Sequence, residues 1–202
     1  MQLYYGPHSI AFASLIVLEE VAADYTPVRL NLAAGMQRDP GYLALNPKGR
    51  VPLLVTDQGA LTETPAILTY LAQTHPEARL MPADPFQAGR VQELMSYLCS
   101  TVHVSHAHRL RGYRWSDDPQ IIEGLKHKVT QNMTEHFAYL ESRFAGPWAM
   151  GAEYTVADAY LYVLCNWSGS DGVDLAQFPQ LAGHQVAMEA RPAVQRALAL
   201  QS

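Results

Sequence analysis

Ser9 follows Gly6-Pro7-His8 at the point where an apolar helical pattern through Ala11, Leu15, Leu18 and Val21 begins. A hydroxyl placed there can cap the helix, or it can face a bound thiol together with the helix-start amides and hold it as a thiolate. Glu63-Thr64 stands in front of a second helical pattern. Exposed amides at such a start attract a carboxylate; the ordinary structural role is Thr64 as N-cap with Pro65 at the first helical position. Pro52 comes directly before the apolar run Leu53-Leu54-Val55. A trans proline is usual at a strand start, whereas a cis bond would turn the Val51 amide and carbonyl outward to pair with a peptide-like ligand. His103, His106 and His108, with Cys99 one turn before His103, raise the question of a metal. Only Cys99, His103 and His106 share a helical face and no carboxylate completes the set, so part-buried or pocket-lining histidines are expected instead. Thr155-Val156-Ala157-Asp158 is a capping-box pattern and reads as structural. No Ser-His-Asp order and no glycine-rich phosphate loop is present.

The elements that must carry these residues fall into two kinds. Gln2-Leu3-Tyr4-Tyr5 is a β-prone run stopped by Gly6-Pro7, and a helix follows it. Tyr25 to Leu30 is a second strand-like run, and Asp39-Pro40 precedes a short segment ending at Asn46-Pro47-Lys48-Gly49. Val51 to Val55, a turn at Asp57-Gln58-Gly59, a short strand at Ala60-Leu61 and a helix from about Thr64 to Thr74 complete the order β, α, β, short α, β, β, α. The Pro-bearing stretch from His75 to Pro85 breaks every period and reads as a linker. Beyond it the patterns are helical only: Phe86 to Tyr113, Pro119 to Phe144, and Thr155 to Trp167, where Val156, Ala159, Tyr160, Val163, Leu164 and Trp167 trace one buried face.

The 202 residues allow one or two domains. A hydrophobic fraction of 49% with 16% charged residues, and no repeat or like-charge block, excludes disorder, coiled coil and solenoid. Lys+Arg 14 against Asp+Glu 19 leaves a net charge of −5, without the basic excess that binds nucleic acid or anionic membranes. The 2 cysteines, Cys99 and Cys165, form no disulfide framework, and the N-terminal apolar run lacks a basic leader and meets Glu19 and Glu20 too early to span a membrane. A cytoplasmic protein is expected.

Taken together, these residues resemble the cytosolic glutathione S-transferase family over nearly the whole chain. The segments that carry the likeness are LYYGPHS, Asn46-Pro47-Lys48-Gly49-Arg50-Val51-Pro52, Leu61-Thr62-Glu63-Thr64 with Ala66 to Leu71, and Thr155 to Ala159. The resemblance implies an α/β thioredoxin-like N-terminal domain (1–78) that binds glutathione, and an all-α C-terminal domain (86–202) contributing the electrophile site. It also implies a homodimer, glutathione as co-substrate, a small hydrophobic electrophile as partner, and no metal. Carried over by residue, Val51 pairs its backbone with the cysteinyl part of glutathione, with Pro52 cis. Glu63 takes the γ-glutamyl amino group and Thr64 its carboxylate, and Gln37 and Arg38 occupy the region that meets the glycyl carboxylate. The first segment and the helix with Val102-His103 are most similar to the bacterial beta class, whose histidine there lies near the thiol. That class has a cysteine where this chain has Ile10, which leaves Ser9 and Tyr5 as hydroxyl candidates beside His103. Tyr97, His106, Tyr113 and Trp167 are expected to line the cleft for the second substrate. The implied activity is transfer of glutathione to an electrophile. The alternatives are a glutathione-dependent isomerase, peroxidase or ether-cleaving enzyme, or a binding protein of the same fold.

Overall fold

The computed structural model describes residues 1–144 and 146–201. They form two compact units, one of residues 1–88 together with the chain from Met188 onward, the other of residues 89–187.

The first unit is built on a four-stranded sheet in the order β2-β1-β3-β4. In β1 (Gln2–Tyr5) alternate residues Leu3 and Tyr5 are buried, as a period of two requires of a strand with one face in a core. It runs parallel to β2 (Thr26–Arg29) and antiparallel to β3 (Leu53–Thr56), with Leu3 opposite Leu54. Pro27 is tolerated in β2 because that strand is at the sheet edge. β4 (Gly59–Thr62) pairs antiparallel with β3, Leu53 opposite Thr62. Between β2 and β3, the short helix α2 (Pro40–Leu45) buries Tyr42, which packs with Leu30 and Leu53.

Helix α1 (Ala11–Glu20) departs from the one-faced pattern: Ala11 through Leu18 are all buried. Such an all-round apolar helix needs neighbours on every side, and it has β1, α3 (Thr64–Thr74) and α9 (Pro192–Ala199). The stretch after Met188, expected with the helical domain, thus groups with the sheet. Ala193, Val194 and Ala197 of α9 are buried, and two ion pairs secure the seam: Arg191 Nε to Glu20 Oε1 at 2.5 Å and Arg196 Nε to Glu19 Oε2 at 2.7 Å.

The second unit is helical, as expected. Helix α4 (Pro85–Tyr97) passes through one π-helical turn, Leu98–Val102, directly into α5 (His103–Arg111). Such turns insert one extra residue and rotate the helix beyond them. Helix α6 (Pro119–Arg143) buries a stripe of Val129, Met133, Phe137 and Leu140. In α7 (Val156–Asn166) every residue from Val156 to Cys165 is buried, so the single apolar face read from spacing is part of a fully enclosed helix. Helix α8 (Pro179–Glu189) completes the unit. The capping box is formed: Asp158 Oδ2 accepts from Thr155 N at 2.7 Å at the start of α7. Among the described residues no helix is long and apolar enough to cross a membrane.

Candidate functional site

Sheet register gathers the first unit's candidates at one edge. Tyr4 lies opposite Leu53, so continuing that register past the end of β1 places the loop before α1 beside Val51. Leu53 lies opposite Thr62, so Glu63-Thr64 emerges next to Val51-Pro52. The Val51–Pro52 peptide is cis. Pro52 is buried and Val51 half-buried, and no other described residue hydrogen-bonds the Val51 backbone. The preceding carbonyl, Arg50 O, is held by Tyr42 Oη and by Asn46 Nδ2 at 2.7 Å, which leaves Val51 as the first unspent peptide of the segment.

Glu63 has φ 71°, a left-handed conformation unusual for a side chain of this size, and it is the N-cap of α3. Thr64 is therefore the first helical residue and not the cap, with Pro65 following it; Thr64 is 3% exposed. Helix α3 starts with amides that have no intrahelical acceptor, while the Glu63 carboxylate projects into solvent. Its partner is Lys48, Nζ to Oε1 at 2.5 Å, and Lys48 also reaches Thr62 Oγ1 at 2.6 Å. Sequence reasoning did not single out Lys48, although it stands inside the Asn46-Pro47-Lys48-Gly49 run; the structure brings it against Glu63 and Thr62. Gly49 sits at φ +59°, a left-handed conformation that disfavours side chains, and Arg38 Nη1 lies 3.0 Å from where its Cβ would be. That contact brings Arg38 to the same loop, whereas Gln37 donates from Nε2 to Leu32 O at 3.3 Å.

The hydroxyl candidates differ sharply. Ser9 lies two residues ahead of α1; its Oγ donates to Gly6 O at 2.7 Å and accepts from Ala11 N at 3.3 Å. To donate to a thiolate it must rotate off Gly6 O. Tyr5 is 3% exposed and its hydroxyl donates to Leu200 O at 2.9 Å, so it ties down the chain after α9 and does not offer a proton to a ligand. Ile10 is buried, and its side chain contributes to the core.

In the second unit, a cluster surrounds His103 and His106. His103, the first residue of α5 after the π turn, has Nδ1 3.4 Å from Tyr160 Oη and its ring 5.2 Å from Trp167. The His106 ring stacks on Trp167 at 4.1 Å and 19°. Its Nδ1 lies 2.9 and 2.8 Å from the two carboxylate oxygens of Asp171, whose side chain is 0% exposed. Arg109 Nε is 3.4 Å from the same carboxylate, and Thr130 Oγ1 donates to Asp171 O at 2.8 Å. A buried carboxylate on Nδ1 orients the ring. Asp171 had no signal in the sequence, being an isolated acid 65 residues from its histidine. Tyr97, His136 and Ser105 form a second chain, with Tyr97 Oη 2.9 Å from His136 Nδ1 and Ser105 Oγ 2.9 Å from Nε2. Burial pushes the Tyr97 hydroxyl pKa up and the His136 pKa down. His108 packs edge-on against Trp115 at 4.4 Å. No group of three or more metal-ligating side chains occurs among the described residues.

A four-stranded mixed sheet ending in an open peptide edge, joined to a helical unit, is a thioredoxin-like domain with an all-α partner. Residues 1–73 match the model of the glutathione S-transferase N-terminal domain and residues 106–200 that of the glutathione S-transferase C-terminal domain. Glutathione S-transferase GstA of Escherichia coli O157:H7 is 31% identical over 202 residues, covering 98% of this chain and 97% of that protein. Maleylacetoacetate isomerase of Pseudomonas aeruginosa is 30% identical over 210 residues, covering 96% and 97%. The crystal structure of a glutathione transferase homologue from Sulfitobacter, with bound glutathione, is 41% identical with a TM-score of 0.96 over 98% of this chain and 97% of that one. The chain belongs to the glutathione S-transferase family.

Proposed function

We propose that this protein is a glutathione S-transferase that binds glutathione at the sheet edge formed by Val51, Glu63 and Thr64 and activates it as a thiolate toward small hydrophobic electrophiles. The observation that carries the reading is the unspent Val51 backbone beside Pro52, at an edge shared with the α3 amides and the Glu63 carboxylate. A peptide-like ligand pairs with Val51 as an added strand would. Its α-carboxylate goes to the start of α3 at Thr64, and its ammonium goes to Glu63. Arg38 and Lys48 supply positive charge for the remaining carboxylate. A free thiol with a pKa of about 8.5 is only a few per cent ionised at neutral pH, and the thiolate is the nucleophile. Lowering that pKa by about two units takes roughly 2.7 kcal/mol of preferential thiolate binding, within reach of a helix start and one or two donors.

The Glu63–Lys48 pair decides the size of the key test. In the free protein Glu63 already has a cation, so binding exchanges one charge pair for another. The loss in Glu63→Ala then falls at the low end of a charge-assisted bond, about 1.5 kcal/mol, or roughly tenfold in affinity. Calorimetric titration with reduced glutathione measures it, and unchanged affinity removes Glu63 from the site. The thiolate absorbance of the complex across pH, followed by conjugation of a small aryl halide, tests activation. A second reading, glutathione-dependent isomerisation, is favoured by the full-length likeness to an isomerase. It predicts turnover of an unsaturated diacid without net consumption of glutathione.

A further inference from the structure

Asn46, at the C-terminal end of α2, is 2% exposed, and Tyr42, one turn earlier on the same helix, is 6% exposed. Both the backbone and the side chain of Asn46 are engaged. Its N–H donates to Tyr42 O at 2.8 Å and its carbonyl accepts from Gly49 N at 2.9 Å. Its Oδ1 accepts from Lys48 N at 3.2 Å and its Nδ2 donates to Arg50 O at 2.7 Å. The Lys48 N–H requires an acceptor and Arg50 O a donor, which sets the carboxamide one way round. The Tyr42 hydroxyl donates to the same Arg50 O. Burial pushes the Tyr42 pKa up, so the hydroxyl keeps the proton it donates. Its ring packs with Leu30 and Leu53 and lies 5.6 Å from that of Tyr4, which ties this donor to the sheet. Two buried side chains therefore occupy both lone pairs of one carbonyl. That carbonyl belongs to the Arg50–Val51 peptide, which is trans. In a planar trans peptide the C=O and the N–H point in opposite directions. Fixing Arg50 O toward α2 fixes the Val51 N–H away from it, and no described residue accepts from that N–H.

We propose that Tyr42 and Asn46 are positioning residues for glutathione, holding the Arg50–Val51 peptide plane so that the Val51 N–H stands ready for a carbonyl of the ligand. This rests on the glutathione reading above, in which the ligand pairs with Val51 as an added strand would. A backbone donor that is fixed before the ligand arrives does not have to be ordered by it, so more of the hydrogen-bond energy appears as affinity. Were Arg50 O released, the peptide plane would be free to rotate about its flanking bonds, and the N–H would turn with it. The effect of Tyr42 and Asn46 passes through this one peptide, not through contact with the ligand. It also gives Asn46, in the run that ends at Val51-Pro52, a role in binding beyond ending α2.

The test uses the full chain, isotopically labelled for amide NMR, with reduced glutathione and with S-methylglutathione, which has no ionisable thiol. Tyr42→Phe removes one donor and keeps the ring packing; it should weaken both ligands about threefold. Asn46→Ala removes the other donor together with the Lys48 acceptor, and should weaken both about tenfold. For each variant the two losses should agree within about twofold, because thiol and thioether present the same backbone to Val51. In hydrogen exchange, saturating glutathione should slow the Val51 amide of the wild type by about tenfold and that of each variant by less, while Leu3 and Leu54 in the sheet exchange as in the wild type. Faster exchange at Leu3 and Leu54 along with Val51 would make the two residues merely structural and overturn the proposal. Thermal melting shows whether each variant is folded, and Tyr42→Phe carries the test if Asn46→Ala is not. Unchanged affinity and unchanged Val51 protection in a folded variant, with Glu63→Ala binding glutathione less, overturn the positioning role alone. Failure of the wild type to bind either ligand overturns both proposals.

Discussion

Replacing Asp158 by alanine should be among the most destabilising single changes in the second unit. The carboxylate is fully buried at the first turn of α7. Oδ2 accepts from Thr155 N at 2.7 Å and from Thr155 Oγ1 at 3.1 Å, and Oδ1 accepts from Ala149 N at 2.7 Å and from His184 Nε2 at 3.0 Å. The Thr155 hydroxyl can turn to another acceptor, but two backbone amides and a fully buried imidazole N–H are left unpaired. Each stranded buried donor, the Thr155 amide and the His184 N–H, costs about 1–3 kcal/mol; the Ala149 amide is part-buried, and relaxation of the 149–155 loop keeps the three from adding in full. The expected loss is about 3–5 kcal/mol, the cost of two or so stranded buried donors and well above an ordinary N-cap. Trp148 packs edge-on against Tyr154 at 5.1 Å and His184 at 6.0 Å, so its fluorescence reports this region during urea unfolding. The midpoint should fall by about 1–2 M at an unchanged slope. A loss below about 1 kcal/mol would refute the view that this carboxylate holds loop, cap and α8 together.

Tyr5→Phe removes only the hydroxyl bonded to Leu200 O; it should cost about 1 kcal/mol in denaturant unfolding and leave the ionisation midpoint of bound glutathione in place. A raised midpoint would restore Tyr5 to the thiol site. Burial lowers the His136 pKa below its ordinary 6.5, so the unfolded chain takes up this proton first as pH falls. The contribution of His136 to stability is therefore complete above about 6.5 and declines as pH drops from there toward the folded value. His136→Gln should make urea midpoints between about pH 5 and 7 less pH-dependent, and an equally steep dependence in the variant would contradict the assignment.

Much of the architecture was legible because its signals are local. The β, α, β, short α, β, β, α order was written in runs of alternating residues, in Gly6-Pro7 and Asp57-Gln58-Gly59, and in Asn46-Pro47. The capping box at Thr155 and Asp158 could be read from four consecutive residues. Local signals also misplaced some details. Thr64 has the side chain of an N-cap, yet the chain enters α3 through Glu63 in a left-handed conformation, because the end of β4 and the start of the helix must meet in that space. Ser9 lies outside α1 because its hydroxyl closes a turn on Gly6 O.

The amino-acid sequence by itself determined which segments are strands and helices, where the sheet stops and the helices take over, and that Val51-Pro52 precedes a strand while Glu63-Thr64 precedes a helix. Those properties depend on neighbours within a few residues, where dihedral preferences, capping and apolar spacing act directly. Only the tertiary structure decided that α9 completes the surroundings of α1, that Lys48 holds Glu63, that Asp171 orients His106, and that Gln201 lies against His8. Each of these contacts joins residues at least 15 positions apart. Its partner is chosen by which buried polar group or apolar face remains unsatisfied once the local elements have packed, and no short stretch of sequence contains that information.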